Sequence, residues 1–450
     1  MARSLRVLTL LLVAVLTLGA CGGGGGSAAP STGASQPPAS QPGTSGEPAG
    51  TPGAGGSITV TSLWGGSEEE SFRKVLDAFT AKTGITAKYE GVRQDYATAL
   101  QTRITGGNPP DVAIIPGIGF LRRFARDGSI KKISDFGIDV ASIEGNYAPG
   151  ILDIGKVDGE QYAIMVKFNS KSTMWYRPDV FKELGVEPAA DWDAFKKLVS
   201  DIKAKGKTPL GLGVSPDSWT LTDWFESIYV RQAGPDAYSK LFSKDGAWTD
   251  PTVKAAIDEM VSILNKDNVV GGISGAMGTA WVDGIGQVFG PTPKAAMYYE
   301  GGFVGGIATG QVNKDLKVPD QIDWFAFPKI NNGDAVTIGG DVIAAFTTNP
   351  GVKEFMEYMT TKEAGEVWAG TGAIISPVKT VSSDVYPNEL AKKEAEQVAN
   401  ASAVRFDGSD LLPAGGPDLG ALLQNAIQGQ DMGPQLQQFQ DQIKTAWENE

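Results

Sequence analysis

The chain has 450 residues, 20% of them charged, with 52 acidic against 39 basic side chains, a formal net charge of -13, no histidine and a single cysteine. Without imidazole or a second thiol, Ser-His-Asp and Cys-His relays and a His/Cys zinc site are excluded, so the chemistry left is that of carboxylates, lysines and tyrosines. The acidic balance argues against a nucleic-acid partner, and no cofactor or resident metal is expected.

In chain order, Arg3 and Arg6 precede an apolar run from Val7 to Leu18 that ends in Gly19 and Ala20. This is the form of an export signal, residues 1–20, and the run is too short to span a bilayer. Leu18-Gly19-Ala20-Cys21 resembles the lipobox at which bacterial lipoproteins are diacylated and cleaved, which makes Cys21 the expected lipidation site. Loss of the leader shifts the net charge to about −15, and such a body would be repelled by an anionic membrane, so a lipid is the expected attachment. Residues 21–56 are rich in Gly, Ser and Pro and read as a flexible tether with a reach of about 30 to 35 Å. The glycine run 22–26 lacks the Lys and Ser or Thr of a phosphate loop.

The body opens with a predicted strand at Ile58 to Leu63, then Ser67 and Glu70 at capping-box spacing. Phe72, Val75, Leu76 and Phe79 form a helical stripe that Gly84 stops. A strand near Ile85 to Tyr89 follows, then a helix with Tyr96, Leu100 and Ile104 on one face, then the wholly apolar strand Val112 to Ile115. This β-α-β-α-β order predicts a doubly wound sheet. Strands are expected at Met174 to Tyr176, Pro209 to Val214, Ala295 to Tyr299, Asp323 to Phe327 and Val342 to Phe346. Helices are expected on the stripes Trp192-Phe195-Leu198-Val199-Ile202 and, after Asp250-Pro251, Val253-Ile257-Met260-Val261-Leu264. Three more, around Val352 to Met359, Leu419 to Leu423 and Leu436 to Ile443, close the chain. Two strand-helix groups of comparable size imply two lobes.

Several segments together resemble the carbohydrate-binding proteins of bacterial ABC importers, in particular the α-glucoside-binding group. They are GSEEESFRKVLDAFTAKTGI (66–85), QTRITGGNPPDVAIIPG (101–117), KFNSKSTMWY (167–176), TDWFESIYVRQAGPDAY (222–238), TKEAGEVWAGTGAIISPVK (361–379) and RFDGSDLLP (405–413). Where such relatives usually carry an aromatic pair after the last segment, this chain has Gly420-Ala421-Leu422, a departure that bears on ligand size. The resemblance implies an α/β, two-lobed periplasmic-binding-protein fold with hinge crossings and the ligand cleft between the lobes. It places crossings near Phe168 to Lys171, Phe303 to Ile307 and Thr347 to Gly351. Residues 57–168 with 307–348 are then expected in the first lobe, and 169–306 with 349–450 in the second. It further implies a non-enzymatic monomer on the outer face of the cell membrane that closes on a small carbohydrate and delivers it to ABC permease subunits.

A sugar site needs aromatic plates for C–H faces and planar polar groups for hydroxyls. Trp64 follows the first strand, where open α/β sheets bind ligands, and is equally readable as a core tryptophan. Gln94 and Asp95 hold the same place after the second strand, with a helix cap the plainer reading for Asp95. Trp224 falls on a helical stripe and reads as core, which leaves Trp219 as the plate; Asp223 is either a hydroxyl acceptor or a cap. Of Tyr298 and Tyr299, alternation lets one face the cleft; Tyr299 is the candidate, with Glu300 beside it. Asp341, after Gly339-Gly340, looks like a family cleft position, the glycines needing no more than a turn to explain them. Arg405, with Asp407 and Asp410, is either a site residue or part of an ion pair within one lobe.

Three other readings fit the same composition. A glycosidase would use two carboxylates, Glu69 and Asp341 for instance, though nothing singles out a pair. A ferric-ion binder would use Tyr298 and Tyr299, whose hydroxyls diverge along a strand. A sensor or adhesin of the same fold is not separable by sequence.

Overall fold

The structure, a computed structural model, describes residues 56–147, 151–216, 218–331 and 333–450. The expected export signal, Cys21 and the tether through residue 55 lie outside the described residues.

The first five elements follow the predicted order: β1 (Ser57–Ser62), α1 (Ser67–Thr83), β2 (Thr86–Gly91), α2 (Tyr96–Thr105) and β3 (Val112–Ile115). β1 lies parallel to both β2 and β3, and all four residues of β3 are buried, as an unbroken apolar run requires. The capping box does not form. Gly66, at φ 59°, turns the chain so sharply that Ser67 is already helical, and its hydroxyl instead accepts a hydrogen bond from Gln311 Nε2 at 2.8 Å. α3 (Ile118–Arg126) follows. β4 (Ala163–Ser170), buried along its whole length, then passes through Lys171 and Ser172 into β5 (Thr173–Tyr176).

A second group comprises α4 (Trp192–Ala204), β6 (Thr208–Leu210), α5 (Trp219–Gln232), α6 (Pro251–Ile263), α7 (Trp281–Phe289), β7 (Ala295–Tyr299), α8 (Phe303–Ile307) and β8 (Asp323–Ala326). The strand expected at Pro209 to Val214 contracts to Thr208–Leu210. The chain then re-enters the first group through β9 (Val336–Ala345), α9 (Val352–Met359) and α10 (Lys362–Ala369), and ends with α11 (Glu389–Ala399), β10 (Val404–Phe406), α12 (Leu419–Ile427) and α13 (Met432–Asn449).

Two sheets result. One runs β10-β9-β3-β1-β2 with β4 on the opposite edge of β9, and the other runs β8-β5-β7-β6. β9 is antiparallel to β3 and β4 and parallel to β10, so one strand from the second half of the chain fastens three earlier and later segments. Gly339 and Gly340 lie inside β9 rather than in a turn. A Cβ on Gly339 would stand 2.4 Å from Lys171 Cε, and one on Gly340 would stand 2.4 Å from Lys167 O. These glycines are required by close approach, not by bending.

Each sheet has its own core. The first gathers Phe72, Phe79, Ile114 and Phe124 with Val352, Phe355 and Trp368; the second gathers Phe195, Trp224, Phe225, Trp248 and Ile257 with Leu423 and Phe439. Each such side chain contributes about 1.5 to 3 kcal/mol on burial. The packing departs from the expected lobe boundaries. α9 and α10 belong to the first core, whereas Ile322, Trp324, Phe327 and Ile330 belong to the second lobe. Phe303 to Ile307 is therefore a helix of the second lobe, and Thr347 to Gly351 a loop of the first. Beyond Lys171-Ser172, the chain passes between the sheets in the segment from β8 to β9. A small cluster of Phe168, Val336, Ile338 and Ile375 seals the junction.

Candidate functional site

The first-lobe wall is built at the carboxyl ends of β1, β2 and β3. Trp64 emerges from β1 but turns inward. It is 3% exposed and packs edge-on against Phe72 at 5.0 Å and Trp368 at 5.3 Å. Its indole Nε1 donates to Asp341 Oδ2 at 3.2 Å. Lys167 Nζ sits 4.4 Å over the Trp64 ring and bridges Asp341 at 3.3 Å and Glu68 at 3.0 Å. Trp64 and Asp341 thus form a wall behind the cleft, not its surface. Gln94 and Asp95 do reach the surface. The Asp95 backbone is left-handed at φ 49°, and its side chain caps nothing, contrary to the helix-cap reading. Both line a cavity of about 640 Å³ with Leu63, Tyr96, Pro116 and Phe120, and Pro216 enters it from the second lobe.

The second-lobe wall centres on Lys171, in the crossing itself. Its ammonium lies 2.6 Å from Asp223 Oδ2 and 3.7 Å from Asp407 Oδ2, and 4.7 Å over the Trp219 ring. Burial works against that charge, but Asp223, Glu300 and Asp407 outweigh it and hold the lysine pKa well above its usual range. Burial likewise pushes the Asp223 carboxyl up to about 6 despite Lys171. Glu300 is raised well above the glutamate range, by burial first and then by the Asp223 charge. One of its oxygens, Oε1, has no partner among the described residues. Asp223 therefore neither caps α5 nor opens to the cleft: it fixes Lys171.

Trp219 begins α5 and remains half-buried, edge-on to Trp281 at 5.2 Å and Phe303 at 5.9 Å. It lines a cavity of about 250 Å³ with Gly117 and Phe120 of the first lobe and Thr222, Asp410 and Gly420 of the second. Phe120 borders both cavities, and each of them is lined from both lobes.

Other candidates go elsewhere. Tyr299 is 2% exposed; its hydroxyl donates to Lys171 O at 2.6 Å, and its ring packs on Trp224 and Phe327. Tyr298 donates to Trp281 O at 3.0 Å in a separate cluster. The two phenols point apart into packed protein, so they do not form an iron site. Arg405, on β10 of the first sheet, bonds to Pro235 O at 3.0 Å and to Asp236 at 3.2 Å in the second group, so it is a structural ion pair that joins the two groups rather than one confined to a single lobe. Glu69 is held on the surface of α1 by Arg73 at 2.7 Å and Arg93 at 3.5 Å, apart from the buried Asp341–Lys167 pair. Sequence reasoning passed over Phe120, Trp281 and the two lysines, and left Asp410 open between a site residue and an ion pair. Lys167 did carry a signal, since a charge between the apolar Val166 and Phe168 requires a partner, whereas Lys171 between Ser170 and Ser172 carried none.

Residues 65–366 match the model of the family described as bacterial extracellular solute-binding protein. The osmoprotective compounds-binding protein GgtB of Synechocystis sp. is 32% identical over 79% of this chain and 84% of its own length. The alpha-glucosides-binding periplasmic protein AglE of Rhizobium meliloti is 29% identical over 79% of this chain and 80% of its own. Among solved structures, a chitin oligosaccharide binding protein superposes with a TM-score of 0.75 at 22% identity, covering 88% of this chain and 100% of that one. RafE in complex with raffinose superposes at 0.69 and 20% identity, covering 87% and 99%. The chain belongs to the bacterial extracellular solute-binding protein family, and its fold is the two-lobed one of those structures.

Proposed function

We propose that this protein captures a small carbohydrate of the α-glucoside type between its lobes and hands it to the permease of an ABC importer, without transforming it. The observation that carries the reading is the half-buried Trp219 facing a cavity bordered by Phe120, which also borders the neighbouring cavity lined by Gln94 and Asp95. Aromatic faces suit sugar C–H surfaces, and the exposed amide and carboxylate suit hydroxyls. The names of the two relatives, one for osmoprotective compounds and one for alpha-glucosides, support a short glycoside. So does the 250 Å³ cavity beside Gly420, where an aromatic side chain would otherwise stack on a further sugar unit.

Closure follows from linkage: a ligand that touches both walls favours the closed state by its differential contacts. A thermal-shift screen of α-glucosides, longer oligosaccharides and non-sugar solutes tests the reading, since a ligand at 100 times its Kd stabilises the native state by about 2.7 kcal/mol. A short α-glucoside is expected to raise the melting temperature by several degrees. Stabilisation by non-sugar solutes alone would sink it.

The proposal includes a diacylated Cys21 as membrane anchor. Cys21→Ser is expected to move the protein from the membrane fraction to the soluble one; unchanged sedimentation with membranes would count against the anchor.

A further inference from the structure

The second-lobe wall carries more carboxylates than one ammonium can neutralise. Asp223, Glu300 and Asp407 crowd around Lys171, and Glu226, which accepts from Gly408 N and Ser409 N, lies behind them. Asp410 is the member that opens onto the cavity. Its backbone N–H contacts Asp407 at 3.4 Å, yet no described residue donates a hydrogen bond to its carboxylate. The charged groups that face it are Asp407, Lys171, Asp341 and Asp223. Lys171 is already spent on Asp223 at 2.6 Å. Arg122, on the neighbouring α3, donates to Leu411 O and Glu450, and Asp418, across the cavity, caps α12. Asp341 and Asp223 are paired with Lys167 and Lys171, and Asp407 stands 3.7 Å from Lys171, so an ionised Asp410 would be left without an ion-pair partner among the described residues.

We propose that Asp410 meets the ligand as a neutral carboxylic acid, donating one hydrogen bond to a ligand oxygen and accepting another, and that it thereby restricts the site to uncharged polyhydroxy ligands. A protonated carboxyl offers the same donor-acceptor pair as a sugar hydroxyl, whereas a carboxylate accepts only. Burial and then the Asp407 charge both push the Asp410 carboxyl well above the usual aspartate range, as the geometry requires. Glu300, wholly buried with Oε1 unpartnered beside Asp223, shows the same economy of protons one layer deeper. An anionic ligand would enter a wall already in negative excess.

The inference rests on the carbohydrate reading, and the test separates the two. Binding of maltose, trehalose and sucrose is measured by calorimetry from about pH 5 to about pH 9, for the wild type, Asp410→Asn and Asp410→Ala. Affinity of the wild type for its best probe is expected to decline as pH rises through the elevated pKa. Asp410→Asn, which keeps a donor and an acceptor, is expected to stay within about threefold of wild type at the acidic end and to flatten the profile, while Asp410→Ala loses about tenfold or more there. A wild-type profile that is level or rising, an Asn variant that keeps the wild-type slope, or an Ala variant that binds like wild type overturns the inference alone. If none of the three sugars binds the wild type at any pH, the α-glucoside reading fails and takes the inference with it.

Discussion

Trp64 and Trp219 both stand at the entrance to a helix, and their sequence neighbours give no ground for separating them. Tertiary contacts do. Trp64 is enclosed by Phe72, Trp368 and Lys167, whereas Trp219 keeps part of its ring open beside Phe120. Trp64→Ala is therefore expected to cost about 3 to 5 kcal/mol of folding stability, and also to leave the Asp341–Lys167 pair without its indole partner. Trp219→Ala should cost less stability and more affinity. Urea denaturation alongside calorimetry checks both, and the assignment fails if the two substitutions exchange effects. Asp223 and Tyr299 show the same limit of local reading: each was legible as a polar group near the cleft, but their partner Lys171 lies 52 and 128 positions away.

At the scale of elements, the first β-α-β-α-β unit was legible because its periodicities are clean, and β3 matched to the residue. β4 was not. Lys167, Asn169 and Ser170 break its apolar run, and the charge is tolerated only because Glu68 and Asp341 come from other elements. β9 was read as half its length for a similar reason, since Gly339-Gly340 signals a turn unless Lys171 and β4 are known to press against it. Gly339→Val would drive two methyls into the Lys171 stem. A loss of about 1 to 3 kcal/mol is expected from overpacking, with weaker ligand binding as Lys171 is displaced from Asp223 and Trp219. Wild-type stability and affinity in that variant would refute the close-approach account of the glycine.

For the whole molecule, the two lobes meet where β4 ends, and Glu394 of α11 is buried there, accepting from Ser170 N at 2.8 Å and Asn169 Nδ2 at 3.4 Å. Burial lifts its carboxyl from 4.5 to about 7 against those hydrogen bonds. Between these values the native state holds a proton that the unfolded chain releases, so the contribution of Glu394 to stability falls with rising pH across that window and is level above it, a difference of about 3 kcal/mol. Glu394→Gln should lessen the slope between about pH 4.5 and 7 by this contribution, leaving that of Asp223, Glu300 and Asp410. Denaturation midpoints with the same slope in the variant as in the wild type would assign all of it to those other groups.

The acidic body without imidazole chemistry, the α/β class and the family were all decided by the sequence, because each depends on composition, local periodicity or the order of segments. Lobe membership after residue 300, the identity of the exposed tryptophan and the lysine-centred wall were decided by tertiary structure. Those depend on which distant groups share a buried space, and burial is what turns a charge, an indole or a glycine into one part of a site rather than another.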